Sequence, residues 1–385
     1  MKRLYLIALG LATWLEIAGA AKVVPGRGFD RLITIWLENQ DYAKAAIDDN
    51  IVDLKRRGIL LDKYYAHTHP SQPNYLAAIA GDYFGLNHDE FVRLPENVYT
   101  VADLLESKDI SWAGYFEDLP GPGFMGNYSD GPTGKDTWDY VRKHNPFVTY
   151  DSITNDGMRL LSVLSFDDFQ LAFKAGRVPQ FVFMSPNMMN DGHNTTLKTA
   201  TDWSHQFLLP LLAENAFDER TLIMLTFDES ETYSEPNHIV TLLLGSAIPP
   251  ALKGTQDNSF YTHYSMLSSI EYNWDLPHLG RYDVGANIFQ FLAEIGGYKK
   301  NKDPENMAAV NSSVSYPGFL HNETSLPIPR PNSKLVGASG LGILDAIRVA
   351  WPPARDEQTP YDGSGNVCDG GRNQPVYNTP KANSP

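Results

Sequence analysis

Short, unbroken apolar runs punctuate this chain. Four stand out: RLITIWLEN (31–39), QFVFMSPN (180–187), RTLIMLTFDE (220–229) and HIVTLLLGS (238–246), with ISWAGYFED (110–118) weaker. Continuous rather than alternating apolarity marks strands buried on both faces, as in a sheet covered by helices. Helical signals lie between them. DYAKAAIDDNIVDLKRRG (41–58) ends on basic residues and a glycine, and SFDDFQLAFKAG places Ser165 and Asp168 at capping-box spacing before a closing glycine. HYSMLSSIEYNW (263–274) and DVGANIFQFLAE (283–294) follow the last strands. The alternation predicts an α/β fold with a mostly parallel central sheet and helices on both faces.

Only the eight residues SETYSEPN separate Glu229 from His238. A parallel crossover needs a dozen or more, so the fourth run is expected to fold back antiparallel on the third as a hairpin. That return brings His238 to the edge where Asp228 sits.

From about residue 298 the pattern fades into Pro, Asn, Ser and Gly, and only KLVGASGLGILDAIRVAW (334–351) looks packed. The expected organisation is therefore a leader over 1–20, a catalytic α/β domain over 21–297 and an irregular extension over 298–385. The extension is expected to pack on the main domain and to end in a mobile tail.

Composition adds the compartment. The start, MKRLYLIALGLATWLEIAGA, has two basic residues, an apolar stretch and Ala18-Gly19-Ala20, which reads as a secretory signal with Glu16 as its one atypical feature. Four glycosylation sequons, at Asn127, Asn194, Asn311 and Asn322, fit an extracellular protein. Cys368 is the single cysteine, so no intrachain disulfide forms and the core must hold the fold. Twenty Tyr, eighteen Phe and seven Trp supply that core. Without the leader the chain carries 29 basic and 45 acidic residues, a net charge near −16. Such a surface excludes nucleic acid and stable association with anionic membrane.

The candidate chemistry sits at strand ends. The first run closes on Glu38-Asn39, the second leads into SPNMMNDGHN, and the third closes on Asp228-Glu229. Open α/β sheets bind ligands outside the carboxyl ends of their strands. Acidic residues there often cap the next helix, but three such clusters together suggest one site. Hard oxygen ligands suit a divalent cation, and His193 nearby extends the choice to zinc or manganese.

HTHPSQPNYLAAIAGDYFG (67–85) places Ser71 at a helix entrance. The plain explanation is an N-cap, with Pro73 in the first turn. The alternative is a nucleophile, since a helix N-terminus attracts phosphate and a neighbouring metal lowers a hydroxyl pKa. Asn74, one turn along, could then hold a phosphoryl oxygen.

LENQDY, THPSQPNYLAAIAG, SPNMMNDGH, TFDES and HYSMLSSIEYNW, in order from about 31 to 290, resemble the motifs of the phosphoesterase family. That family holds fungal secreted acid phosphatases and bacterial phospholipases C, within the alkaline-phosphatase-like superfamily. The resemblance implies that fold and one divalent metal, of unknown identity, held by Glu38, Asn39, Asp228 and Glu229. It implies Ser71 as the metal-activated nucleophile and places Asp191 and His193 around the phosphate or leaving group. His238 and Asn74 carry over as a further catalytic and a substrate-binding residue.

The sulfatases of the superfamily modify a residue in a Cys/Ser-x-Pro-x-Arg context; Ser71-Gln72-Pro73-Asn74-Tyr75 lacks the arginine. The histidine spacing of two-zinc alkaline phosphatases is also missing. The reading is a secreted phosphomonoesterase of small phosphorylated substrates, acting through a phosphoserine with His193 as proton donor. A phosphodiesterase or phospholipase C, and an inactive cell-surface glycoprotein, are the alternatives. His67 and His69 are expected to be hydrogen-bonded bystanders, and His263 and His278 to pack and cap. In an extended segment successive side chains face opposite ways, so Asn194 is expected to point out where His193 points in.

Overall fold

The computed structural model describes residues 23–131, 138–306, 315–324, 326–352 and 359–367. The 1–20 leader, Asn311, Cys368 and the expected tail lie outside the described residues. Eight strands, β1 (Arg31–Leu37), β2 (Ile59–Tyr65), β3 (Trp112–Phe116), β4 (Val163–Ser165), β5 (Phe181–Ser185), β6 (Thr221–Phe227), β7 (Thr241–Leu244) and β8 (Thr255–Thr262), form one sheet ordered β4-β3-β5-β1-β6-β7-β2-β8. All pairings are parallel except those of β7, which runs antiparallel to β6 and β2.

All five apolar runs are strands. The most central pair, β1 and β6, is buried along its whole length, as unbroken apolarity requires. The short loop after Glu229 does produce the antiparallel return, with Ile223 opposite Leu244 and Thr226 opposite Thr241. Three strands escape the sequence pattern for physical reasons. β4 has three residues, and β8 is a polar strand at the sheet edge whose first five residues are exposed or half-buried. β2, ILLDKYY, turns half-buried after its third residue.

The segment 41–58 breaks into two helices, Tyr42–Ala45 and Asp49–Arg56. Asp48 breaks it by accepting from the Asn50 and Ile51 N–H groups, a side-chain cap in place of a continuing turn. Ser165 and Asp168 form the expected reciprocal capping box on the helix Phe166–Lys174. In 283–294 only the end is helical, within Gln290–Gly296.

The described part of the extension lies against the helix Ser71–Ala80 and its exit. Tyr316 and Tyr361 both donate to the buried Asp82 carboxylate, just past that helix. Farther out, Ile343 forms a parallel bridge with His278, and Trp351 donates to the Asn97 carbonyl at 2.7 Å.

Candidate active site

Adjacent parallel strands end side by side, and that sets the site. β5, β1 and β6 are neighbours, with Leu37 level with Phe227 across the β1–β6 ladder. The residues just beyond them, Glu38-Asn39, Asp228-Glu229 and the loop to Asp191, therefore converge although they are distant in sequence. The Glu38 N–H donates to the Asp191 carbonyl at 2.9 Å and closes the group. β2 runs in the same direction and delivers its following loop to Ser71 at the same edge.

Ser71 is the first residue of the helix Ser71–Ala80, and it does not cap it. The N-cap is Pro70, with no side-chain cap bond. The Ser71 hydroxyl donates instead to Glu38 Oε2 at 2.9 Å and lies 3.3 Å from Glu229 Oε1. All ten residues of the helix are buried, and the hydroxyl and the N-terminal dipole face a buried acidic pocket. Of the two explanations for Ser71, the structure removes the cap.

Asn39 occupies the left-handed region, with φ 45°, a strained choice for a residue other than glycine. That turn aims its N–H at Asp228 Oδ1, 3.1 Å away. One end of its side-chain amide faces Asp228 Oδ1 at 3.3 Å, Glu229 Oε1 at 3.2 Å and Glu38 Oε2 at 3.3 Å. With nitrogen at that end the amide donates to the carboxylates. With oxygen there, the oxygens of four residues converge.

The carboxylates are under electrostatic load. Glu38, Asp191 and Asp228 have no exposed surface and Glu229 almost none. Burial, reinforced by the charge of Glu38, pushes the carboxyls of Asp191, Asp228 and Glu229 well above the ordinary range. Each ion kept charged and uncompensated there would cost several kcal/mol (~3 or more).

A hard divalent cation fits this donor set. Asp228 Oδ1 already accepts the Asn39 and Glu229 N–H groups, whereas Asp228 Oδ2 is buried without a hydrogen-bond partner. Spacings of 3.2–3.3 Å match neighbouring ligands of an octahedral shell, about 3.2 Å apart for metal–oxygen bonds of about 2.3 Å. Among the described residues no group of three or more His, Cys, Asp or Glu side chains is placed to hold a metal ion by itself. The set that fits here adds an amide, Asn39, to the carboxylates of Glu38, Asp228 and Glu229.

Two histidines join the site against or beyond expectation. His69, expected as a bystander, makes a close contact from Nδ1 to Glu229 Oε2 and stacks on Tyr233 with ring centres 3.9 Å apart. Burial pushes its imidazole down to about 4, with the charge of Asp41 opposing that shift. His144, not anticipated at all, lies 3.1 Å from Glu38 Oε1 and 3.4 Å from Asp191 Oδ2. Burial, with the neighbouring Lys143 charge, holds it neutral. Tyr75 donates to Glu38 Oε1 and stacks on the His144 ring.

The remaining expected residues divide. Asp191 belongs to the buried group, and its Oδ1 accepts the His193 N–H at 2.8 Å. His193 is exposed at the rim, its ring centre 6.3 Å from that of His144. Asn194 does not point the other way: its Oδ1 lies 3.0 Å from His193 Nδ1, and both are exposed. His263 and His278 each meet a main-chain carbonyl, of Asp228 and Leu335 respectively. His67 is buried with its ring 3.8 Å from that of Tyr264.

His238 reaches the predicted edge, bridging Tyr65, but its ring is sandwiched between Tyr42 and Tyr65 and Nε2 donates to the Asp62 carbonyl at 2.6 Å. None of these contacts is to the carboxylates, so the structure does not bring it into the pocket. Asn74 is likewise committed elsewhere. Its oxygen accepts the His67 and Thr68 N–H groups, and its nitrogen donates to the Thr68 and Pro70 carbonyls. With both ends saturated it clamps the 67–70 turn and has nothing left for a phosphoryl oxygen. Of the sequons, Asn322 is exposed, while Asn127 is half-buried and accepts the Arg142 N–H at 2.8 Å.

The model of the phosphoesterase family matches residues 36–277, which span every pocket residue named above. The chain belongs to the phosphoesterase family. This phosphoesterase is 46% identical over 356 residues to an acid phosphatase of Aspergillus fumigatus, covering 89% of this chain and 78% of that protein. It is 44% identical over 344 residues to a probable acid phosphatase of Kluyveromyces lactis, covering 89% and 80% of the two chains. Among solved structures, an alkaline phosphatase superfamily protein of Vibrio parahaemolyticus matches with a TM-score of 0.41 and 13% identity, covering 62% of this chain and 64% of the other.

Proposed function

We propose that this phosphoesterase is a secreted, metal-dependent phosphomonoesterase that works through a phosphoserine on Ser71. The observation that carries the reading is the Ser71 hydroxyl. It is buried at the first position of a helix, takes no part in capping, and hydrogen-bonds Glu38 beside a convergent oxygen set. The acid phosphatases of Aspergillus fumigatus and Kluyveromyces lactis, similar over most of the chain, support the substrate class. The A-x-A leader supports export.

In the proposed mechanism Glu38, Asn39, Asp228 and Glu229 would hold one divalent cation. When bound, it supplies charge neutralisation and lowers the hydroxyl pKa of Ser71. Ser71 Oγ attacks phosphorus in line with the ester bond, its proton leaving along the hydrogen bonds to Glu38 Oε2 or Glu229 Oε1. As the phosphorus–oxygen ester bond breaks, the leaving alkoxide takes a proton from His193 at the rim. Water then attacks the phosphoserine, Ser71 Oγ departs and regains a proton, and phosphate is released. His144, held neutral between Glu38 and Asp191, keeps those two carboxylates in place.

The test is turnover of a chromogenic phosphate monoester by the purified protein. Activity lost on chelation and restored by one equivalent of a divalent cation supports the reading. Undiminished activity in a verified metal-free protein overturns the metal dependence.

A further inference from the structure

Lys143 is the cation of this acidic pocket, and the mechanism above leaves it unused. It sits in the short turn Arg142–His144, next to the histidine that touches Glu38 and Asp191. Its ammonium lies 2.9 Å from Asp89 Oδ2, with the two side chains 16% and 30% exposed. The other oxygen, Asp89 Oδ1, accepts the Gln72 N–H at 3.0 Å, and Gln72 is the residue after the nucleophile. One carboxylate thus bridges an ammonium and an N–H of the first helical turn beside Ser71. Those are the donors that a phosphoryl oxygen uses.

The field of Lys143 reaches further into the pocket. It is held charged by Asp89, Glu38 and Asp228, and it eases the load on Asp191 and Glu229. Its neighbour Arg142 is turned elsewhere, donating to the Val92 and Val148 carbonyls with its guanidinium over the Phe91 ring.

We infer that Lys143, aimed by Asp89, binds a non-bridging phosphoryl oxygen and selects the dianion of a phosphate monoester over the monoanion of a diester. The inference rests on the phosphomonoesterase reading. A monoester presents three terminal oxygens and two charges near neutral pH. A diester presents two such oxygens and one charge, with an ester arm in the third position. A lone ammonium at the pocket wall rewards the extra oxygen and charge of the monoester. The same ammonium meets a neutral arm in the diester and gains no charged contact beyond the one it has with Asp89.

The experiment compares kcat/KM for p-nitrophenyl phosphate and bis-p-nitrophenyl phosphate in the metal-loaded wild type, Lys143→Met, Lys143→Gln and Lys143→Arg. The uncharged variants are expected to lose about tenfold or more on the monoester, the worth of one charge-assisted hydrogen bond, mainly through KM. Inhibition by inorganic phosphate should weaken in parallel, while diester hydrolysis changes far less and Lys143→Arg recovers part of the preference. An unchanged monoester-to-diester ratio in a folded, metal-loaded uncharged variant overturns the inference and leaves the phosphomonoesterase reading standing. A wild type that hydrolyses no monoester overturns both. Two uncharged replacements and circular dichroism separate lost recognition from lost folding.

Discussion

The hydroxyl of Ser71 donates to Glu38, thirty-three positions earlier in the chain and 2.9 Å away, rather than to the helix it begins. The hydroxyl takes no part in capping, which leaves it facing the carboxylates of Glu38 and Glu229. Around this bond the ends of β1 and β6 bring buried carboxylates together that no local sequence argument could pair.

Asp228 tests the cation. Its Oδ1 is satisfied by two N–H groups while Oδ2 is buried without a partner, and burial with the Glu38 charge raises its pKa. Asp228→Asn is therefore expected to lower bound metal, measured by mass spectrometry of the digested protein, and to abolish turnover. The same change removes a buried like charge, so the chelated variant should melt higher than chelated wild type at pH 7, by about 2 °C or more. Full metal content in an inactive variant would remove Asp228 from the ligand set.

Asn74 separates clamping from substrate binding. Asn74→Ala leaves the His67 and Thr68 N–H groups without their side-chain partner in a buried turn, while the Thr68 carbonyl keeps the Asn237 amide at 3.0 Å. The expected cost is about 2 kcal/mol or more in denaturant unfolding. At a temperature where the variant is fully folded, KM for the monoester should stay near wild type. A raised KM with unchanged stability would return Asn74 to the phosphate.

Glu271 gives the pH dependence of stability. It is fully buried, and burial together with the neighbouring Asp283 carboxylate pushes its pKa well above the ordinary 4.5. Above pH 4.5 the unfolded chain gives up a proton that the folded protein keeps. Stability from this group is thus fully present below the unfolded value and is lost as pH rises toward the folded one. Each pH unit of that window costs about 1.4 kcal/mol. Glu271→Gln cannot titrate, so its melting temperature relative to wild type should climb between pH 4.5 and pH 7.5. A constant difference across that range would place the Glu271 proton elsewhere.

Much of this was legible in the chain. The buried strands announced themselves by unbroken apolarity, and the eight-residue loop announced the reversal of β7. Strand-end carboxylates pointed to Glu38, Asp228 and Glu229 because topology places adjacent parallel strand ends together. His144 and Lys143 were not legible, since RKHNP stands in an aperiodic stretch well past β3 and only the packed structure folds it against Glu38. The cluster itself, two basic residues and a histidine in one loop, was the one available signal. His69 was misjudged because a histidine before a helix looks the same whether it meets water or Glu229. Asn74 and His238 lay in the right place along the chain, but their hydrogen bonds and stacking are properties of the packed turn.

The central claim is that Ser71 is the attacking group, and the most direct measurement is monoester turnover by Ser71→Ala. An N-cap serine would cost about 0.5–2 kcal/mol of stability when replaced and leave the rate nearly intact. Because the Ser71 hydroxyl makes no capping bond to the helix, the variant is expected to fold with near wild-type stability and load metal. Its kcat/KM should fall by orders of magnitude, about a thousandfold or more. A folded, metal-loaded Ser71→Ala protein with full activity would contradict the account and make water the attacking group.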